Sequence, residues 1–167
     1  YRPIHLTTGM SVIRLVWATA TGPTPTASYD AALAEANVHN FNLIQVSSVI
    51  PAEAHLEAVG EAPDLGAVGD GLTVVQGRHT APPGEAGAAG IGWARSESGR
   101  GIFYEADGES EAVVRERIED GLAAGKELRD WAFVEEDSLV VEADPDPDEY
   151  TTALVIAAYG ESRSLLQ

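Results

Sequence analysis

Short runs of β-branched and apolar residues, cut by glycine and proline, set the pattern of this chain. Ser11–Thr21 (SVIRLVWATAT) ends at Gly22-Pro23 and predicts a strand. Ser28 as N-cap followed by YDAALAEA over Tyr29–Ala36 predicts a short helix. A turn at Asn37–Asn40 leads into the apolar run Phe41–Ile50, stopped by Pro51, which predicts a second strand carrying the adjacent pair Ser47-Ser48. Pro51–Leu65 is acidic and weakly patterned. Leu72–Gln76 and Ala88–Ala94 read as strands, separated by a Gly/Pro-rich segment, Gly77–Gly87, expected to be an exposed hairpin loop. Gly101–Ala106 is a further strand closed by the turn dipeptide Asp107-Gly108. Ser110 then caps a long helix from Glu111 to about Trp131, whose Val114, Ile118, Leu122 and Leu128 recur at helical spacing and pack one face on a sheet. Leu139–Glu142 and the buried run Thr151–Tyr159 complete the strands, with a Pro/Asp turn at Asp144–Asp148 between them. Strands far outnumber the two helices. Hairpin-like turns between them imply an α/β protein of the α+β type, with mainly antiparallel sheet and covering helices rather than a doubly wound parallel sheet.

At 167 residues, 44% hydrophobic and 22% charged, the chain suits one domain, expected over 10–167. Residues 1–9 lack the apolar core of a secretory signal and are expected to be an extension. No stretch of the sequence is apolar for long enough to predict a membrane-spanning helix, so no membrane partner is expected. The absence of cysteine excludes disulfide and thiolate chemistry and agrees with a cytoplasmic location.

Charge changes the picture more. The chain carries 27 acidic against 10 basic residues, a net charge of -17. Nucleic acid is excluded as an evident partner, because phosphate binding needs basic side chains. Acid spread from Glu53 to the run Asp144–Glu149, with a single lysine, Lys126, reads as a surface adapted to salt. In molar salt the Debye length is about 3 Å, too short for steering a distant cation. The acidity therefore speaks of habitat rather than mechanism.

The chemistry narrows by subtraction. His5, His39, His55 and His79 are scattered and no cysteine exists, so no metal-ligand spacing is present. Pyridoxal chemistry needs a lysine, and Lys126 lies mid-helix where a solvated side chain is expected. The glycines form neither dinucleotide nor P-loop fingerprints. What remains is Ser47-Ser48. In a strand the two hydroxyls point to opposite faces, at least one of them buried and needing a partner. Asn42, six positions before Ser48, would then share its face and could donate to a developing oxyanion.

Four segments carry a resemblance that runs from Met10 nearly to the end: SYDAALAEANVHNFNLIQVSSVIP (Ser28–Pro51), GIFYEADG (Gly101–Gly108), LRDWAF (Leu128–Phe133) and ALVIAAY (Ala153–Tyr159). The chain resembles the pyruvoyl-dependent arginine decarboxylases, in a halophile-like acidic form. The resemblance implies an αββα sandwich assembled as trimers, sometimes doubled to hexamers, with pockets between subunits. It implies self-cleavage between Ser47 and Ser48 into a β chain (1–47) and an α chain (48–167), with Ser48 becoming a covalent pyruvoyl group and neither pyridoxal phosphate nor metal required. It places Asn42 in the autocleavage environment, Asp30 on the substrate, and Glu105, in an apolar setting expected from the residues that precede it, as the acid that returns a proton. It also implies an apolar pocket wall, expected at Leu33 and Phe41. The implied reaction converts L-arginine to agmatine and carbon dioxide through a Schiff base, in polyamine biosynthesis. Two alternatives stay open: a pyruvoyl decarboxylase of another amino acid, and a non-catalytic acidic trimer that binds small cations.

Overall fold

A computed structural model describes residues 11–166; the expected extension, residues 1–9, lies outside them. The elements are β1 (Val12–Gly22), α1 (Pro25–Glu35), β2 (Asn42–Gln45), β3 (Val49–Ile50), β4 (His55–Gly60), β5 (Gly71–Ala81), β6 (Gly87–Ser96), β7 (Gly101–Gly108), α2 (Glu111–Glu127), β8 (Phe133–Ala143) and β9 (Tyr150–Tyr159). They form a five-stranded sheet, order β2-β5-β9-β1-β4, and a four-stranded sheet, order β3-β7-β6-β8. Only β1 with β4 and β2 with β5 run parallel; the other pairs are antiparallel. The mixed α+β reading holds.

Burial follows the two-residue alternation of strands. Along β9, Leu154, Ile156 and Ala158 enter the core between the first sheet and α1, with Val16, Ala32, Leu33, Leu72 and Val74. The intervening Val155 and Ala157 face the second sheet, with Leu15, Val75, Ile91 and Phe103. Covered on both sides, β9 reads as a continuous apolar run. A third cluster packs Val114, Ile118 and Leu122 of α2 on Ala94 and Ile102 of the second sheet. The layers are α1, sheet, sheet, α2.

Several boundaries differ from the sequence reading. Helix α1 begins at Pro25, with Thr24 as N-cap accepting from the Ala27 amide at 3.1 Å. Proline suits the first helical position because its missing N–H has no intrahelical partner there. Ser28 is therefore an interior residue, buried, its hydroxyl 2.7 Å from that of Thr152. Gly77 does not start a loop: it sits within β5, where a Cβ would lie 2.7 Å from the Gly90 carbonyl oxygen of the opposite sheet. The glycine marks close approach of two sheets, and the loop shrinks to 82–86. Gly92 does the same for α2, since a Cβ there would stand 2.2 Å from Ile118. Asp107-Gly108 pairs with Ala89 and Ala88 as strand rather than turning. Helix α2 stops at Glu127, and Leu128, its C-cap, is 82% exposed rather than buried. Strand β4, within the stretch without a clear pattern, is a largely exposed edge strand, and its six residues carry no apolar alternation to read.

One difference bears on chemistry. Phe41–Ile50 is not one strand: β2 joins the edge of the first sheet and β3 the edge of the second, so the chain crosses between sheets at residues 46–48. Both strands are short. They cover β5 only from Gly71 to Val74 and β7 only at Gly101–Ile102, leaving the rest of those edges open.

Candidate active site

The crossing is made by Ser48, whose φ of 66° lies in the left-handed region. A non-glycine residue there costs roughly 1–2 kcal/mol, and such strain concentrates where chemistry occurs. Because the strand is broken, the expected opposite facing of the two hydroxyls is lost. Ser47 is exposed and Ser48 half-buried, so neither is the buried serine that a continuous strand would require.

Ser48 is nevertheless held on both sides. Its hydroxyl donates to Glu105 Oε2 at 3.0 Å, and its carbonyl accepts from the Phe103 amide at 2.8 Å. Phe103 and Glu105 are two apart on β7, so they share a face in a strand. The next carbonyl, that of Val49, accepts from the Tyr159 hydroxyl at 2.8 Å. The Tyr159 ring meets Phe103 edge-on, with centroids 6.1 Å apart. Burial, and after it the charge of Glu105, pushes the Tyr159 phenol well above its ordinary value, so it stays a donor across neutral pH. A cleft of about 310 Å³ opens beside this arrangement, lined by Ser47, Ser48, Phe103 and Tyr104 and by Leu128 and Arg129 beyond α2.

The other expected site residues lie elsewhere in the chain. Asp30 is exposed on α1, which covers the first sheet, whereas the Ser48 cleft opens against α2 on the second. Leu33 is 8% exposed in the core beneath α1 and offers a ligand little surface; Phe41 is half-buried against the same cluster. Asn42 does not line the cleft; its side-chain amide donates to the Gly69 carbonyl at 2.9 Å. Its expected alignment with Ser48 along one strand face fails because β2 and β3 belong to different sheets. Glu105 is exposed in the single chain, so the apolar setting expected for it is not supplied by its own neighbours.

Sequence reasoning missed Tyr159 and the Phe103 amide. The amide has no sequence signal, but a phenol ending a buried strand must find a partner for its hydroxyl. Tyr159→Phe keeps the ring and loses the bond to Val49. We expect fragments of the chain to appear about fivefold more slowly, the worth of roughly 1 kcal/mol for one hydrogen bond, with little change in melting temperature. A time course on denaturing gels checks this, and an unchanged rate would reduce Tyr159 to packing.

Comparison with known proteins agrees over nearly the whole chain. The family model for pyruvoyl-dependent arginine decarboxylase matches residues 12–164. A protein of that name from Halobacterium salinarum is 49% identical over 155 residues, 92% of this chain and 96% of the relative. One from Pyrococcus abyssi is 34% identical over 125 residues, covering 71% and 75% of the two chains, and one from Methanocaldococcus jannaschii 31% over 140 residues, covering 79% and 80%. The chain belongs to the pyruvoyl-dependent arginine decarboxylase family.

Proposed function

We propose that the chain cleaves itself between Ser47 and Ser48 and, with the pyruvoyl group so formed on residue 48, decarboxylates L-arginine to agmatine. The observation that carries this is the left-handed Ser48 with its hydroxyl on Glu105. A serine that only ended a strand would need neither the strained backbone nor a carboxylate on its hydroxyl. The relatives named above bear the same activity in their names.

The steps follow from the contacts. Glu105 takes the proton of the Ser48 hydroxyl as its oxygen attacks the Ser47 carbonyl carbon; the Ser47–Ser48 amide bond breaks and an ester replaces it. Loss of the Ser48 α-proton then expels the Ser47 carboxylate, and hydrolysis of the dehydroalanine left at 48 releases ammonia and leaves the ketone. The surroundings fit that group: the Phe103 amide fixes the carbonyl that would adjoin it, and no bulky side chain fills the cleft beside it. When present, the pyruvoyl group supplies a carbonyl for the substrate amine and a sink for the electrons left by carbon dioxide. Glu105 holds the proton that returns to the substrate α-carbon. This chemistry calls for neither pyridoxal phosphate nor a metal.

A second copy completes the site in this reading. Exposed Ile44, Val46, Val49, Tyr104 and Leu128 lie on β2, on β3, between them and around the cleft, and the open edges of β5 and β7 adjoin them. An apolar surface of this kind suits an interface. A trimer, or two trimers joined, brings Asp30 and Phe41 of one copy, with Asn42 nearby, to Ser48 and Glu105 of the next. Covering would also give Glu105 the apolar setting that the single chain lacks. Asp30 then takes the substrate guanidinium in a charge-assisted pair. The high net negative charge fits a salt-adapted relative of the Halobacterium protein and plays no part in these steps.

Mixing tests the shared site. Ser48→Ala and Asp30→Ala are each expected to be inactive alone, and to regain decarboxylation when unfolded and refolded together, because some mixed assemblies hold one intact site. Mixed assemblies that form but stay inactive would place Asp30 and Ser48 in the same subunit's site.

A further inference from the structure

We propose that Arg129 receives the carboxylate of the Ser47 chain end that cleavage creates; this rests on the cleavage reading above. The elimination leaves the ester's electron pair on Ser47 as a carboxylate and a proton on solvent, so a negative charge appears in the Ser48 cleft. That end must leave the ketone to admit substrate, yet it stays tethered through β2. The residues lining the cleft are Ser47 and Ser48 with aromatic, aliphatic and glycine neighbours, and among them the one cation is Arg129.

Arg129 is half-buried, and its guanidinium takes no part in the steps above. Its Nη1 donates to the Gly125 carbonyl at 2.8 Å, and its guanidinium lies 5.6 Å from the centre of the Trp131 ring. Among the described residues, no carboxylate lies within ion-pair distance of it. Capping the last turn of α2 occupies one of the five N–H donors of an arginine. The remaining fork suits a carboxylate in two-pronged contact.

The other anion that could come here is the substrate's own carboxylate, and the reaction argues against it. That group loses its charge on the way to carbon dioxide, so a guanidinium on it would stabilise the ground state more than the transition state. Ser47 keeps its charge throughout. Holding it on Arg129 also keeps it from pairing with the cationic substrate.

The test uses the folded, assembled protein. Once the two fragments are seen on a denaturing gel, carboxypeptidase should release serine from the β chain about tenfold faster in Arg129→Gln than in the wild type or Arg129→Lys, a ratio equal to about 1.4 kcal/mol, with KM for arginine within twofold. A second measurement does not alter the arginine: phenylglyoxal should modify Arg129 about tenfold more slowly in the cleaved wild type than in uncut Ser48→Ala. Equal serine release and equal modification would overturn the proposal while leaving cleavage intact. A tenfold rise in KM with unchanged release would overturn it too, assigning Arg129 to the substrate carboxylate. A wild-type chain that never cleaves would remove the carboxylate, and the proposal with it, at the earlier step.

Discussion

Ser48→Ala is expected to leave the chain in one piece and without decarboxylase activity. The first step is attack by the Ser48 oxygen on the neighbouring carbonyl, and alanine has no oxygen to offer. The substitution also removes the hydrogen bond to Glu105 without disturbing the core, since Ser48 lies on the crossing between the sheets rather than among the buried clusters. The variant should therefore fold and assemble, with a melting temperature close to that of the uncut wild-type chain. Gels and an assay of carbon dioxide release check both losses. Normal fragments from Ser48→Ala would reject the mechanism at its first step.

Glu105→Gln is expected to impair both stages, unequally. From the sequence alone, Glu105 serves only after carbon dioxide has left, which predicts normal cleavage in this variant. In the structure Glu105 already accepts a hydrogen bond from the Ser48 hydroxyl in the uncut chain, placed to take its proton. Glutamine can keep that hydrogen bond through its carbonyl oxygen but cannot take the proton. Fragments should still form, about tenfold more slowly, because water can serve as a weaker base. Turnover of the cleaved enzyme should fall by roughly 10²- to 10⁴-fold, the usual worth of a positioned acid or base. Single-turnover assays on the isolated, fully cleaved variant separate the two effects. Normal cleavage together with normal turnover would move both proton transfers to another group.

Much of the fold was legible because its core strands alternate or are buried on both faces. The apolar runs read as β1 and β9 are strands, and the helical spacing of Val114, Ile118 and Leu122 marks the buried side of α2. The misread places share a cause: a residue serving tertiary contact looks like a local signal. Gly77 and Asp107-Gly108 resemble turn residues, yet one allows two sheets to approach and the others stay in a ladder. Strand β4 was invisible because it is a short edge strand, mostly exposed, with no buried face to impose an apolar pattern. At the site, Ser47 and Ser48 could be named from a highly specific segment and Glu105 from a second matching one, and the fold brings the Ser48 hydroxyl and Glu105 into contact. Asp30 and Asn42 could be named but not placed, because a linear reading shows neither that α1 covers the first sheet nor that β2 and β3 belong to different sheets. Tyr159 shows the reverse case. Its role is written in a hydrogen bond to a residue 110 positions away, which no local pattern records.

If this chain makes its own carbonyl at residue 48, the mass spectrum of the purified wild-type protein will show it. Two fragments are expected, one ending at Ser47 with a free carboxylate and one beginning at residue 48 and lighter by one ammonia than a fragment with an N-terminal serine. A single intact chain under every salt condition in which the protein is folded, or a second fragment with an unmodified N-terminal serine, would contradict it.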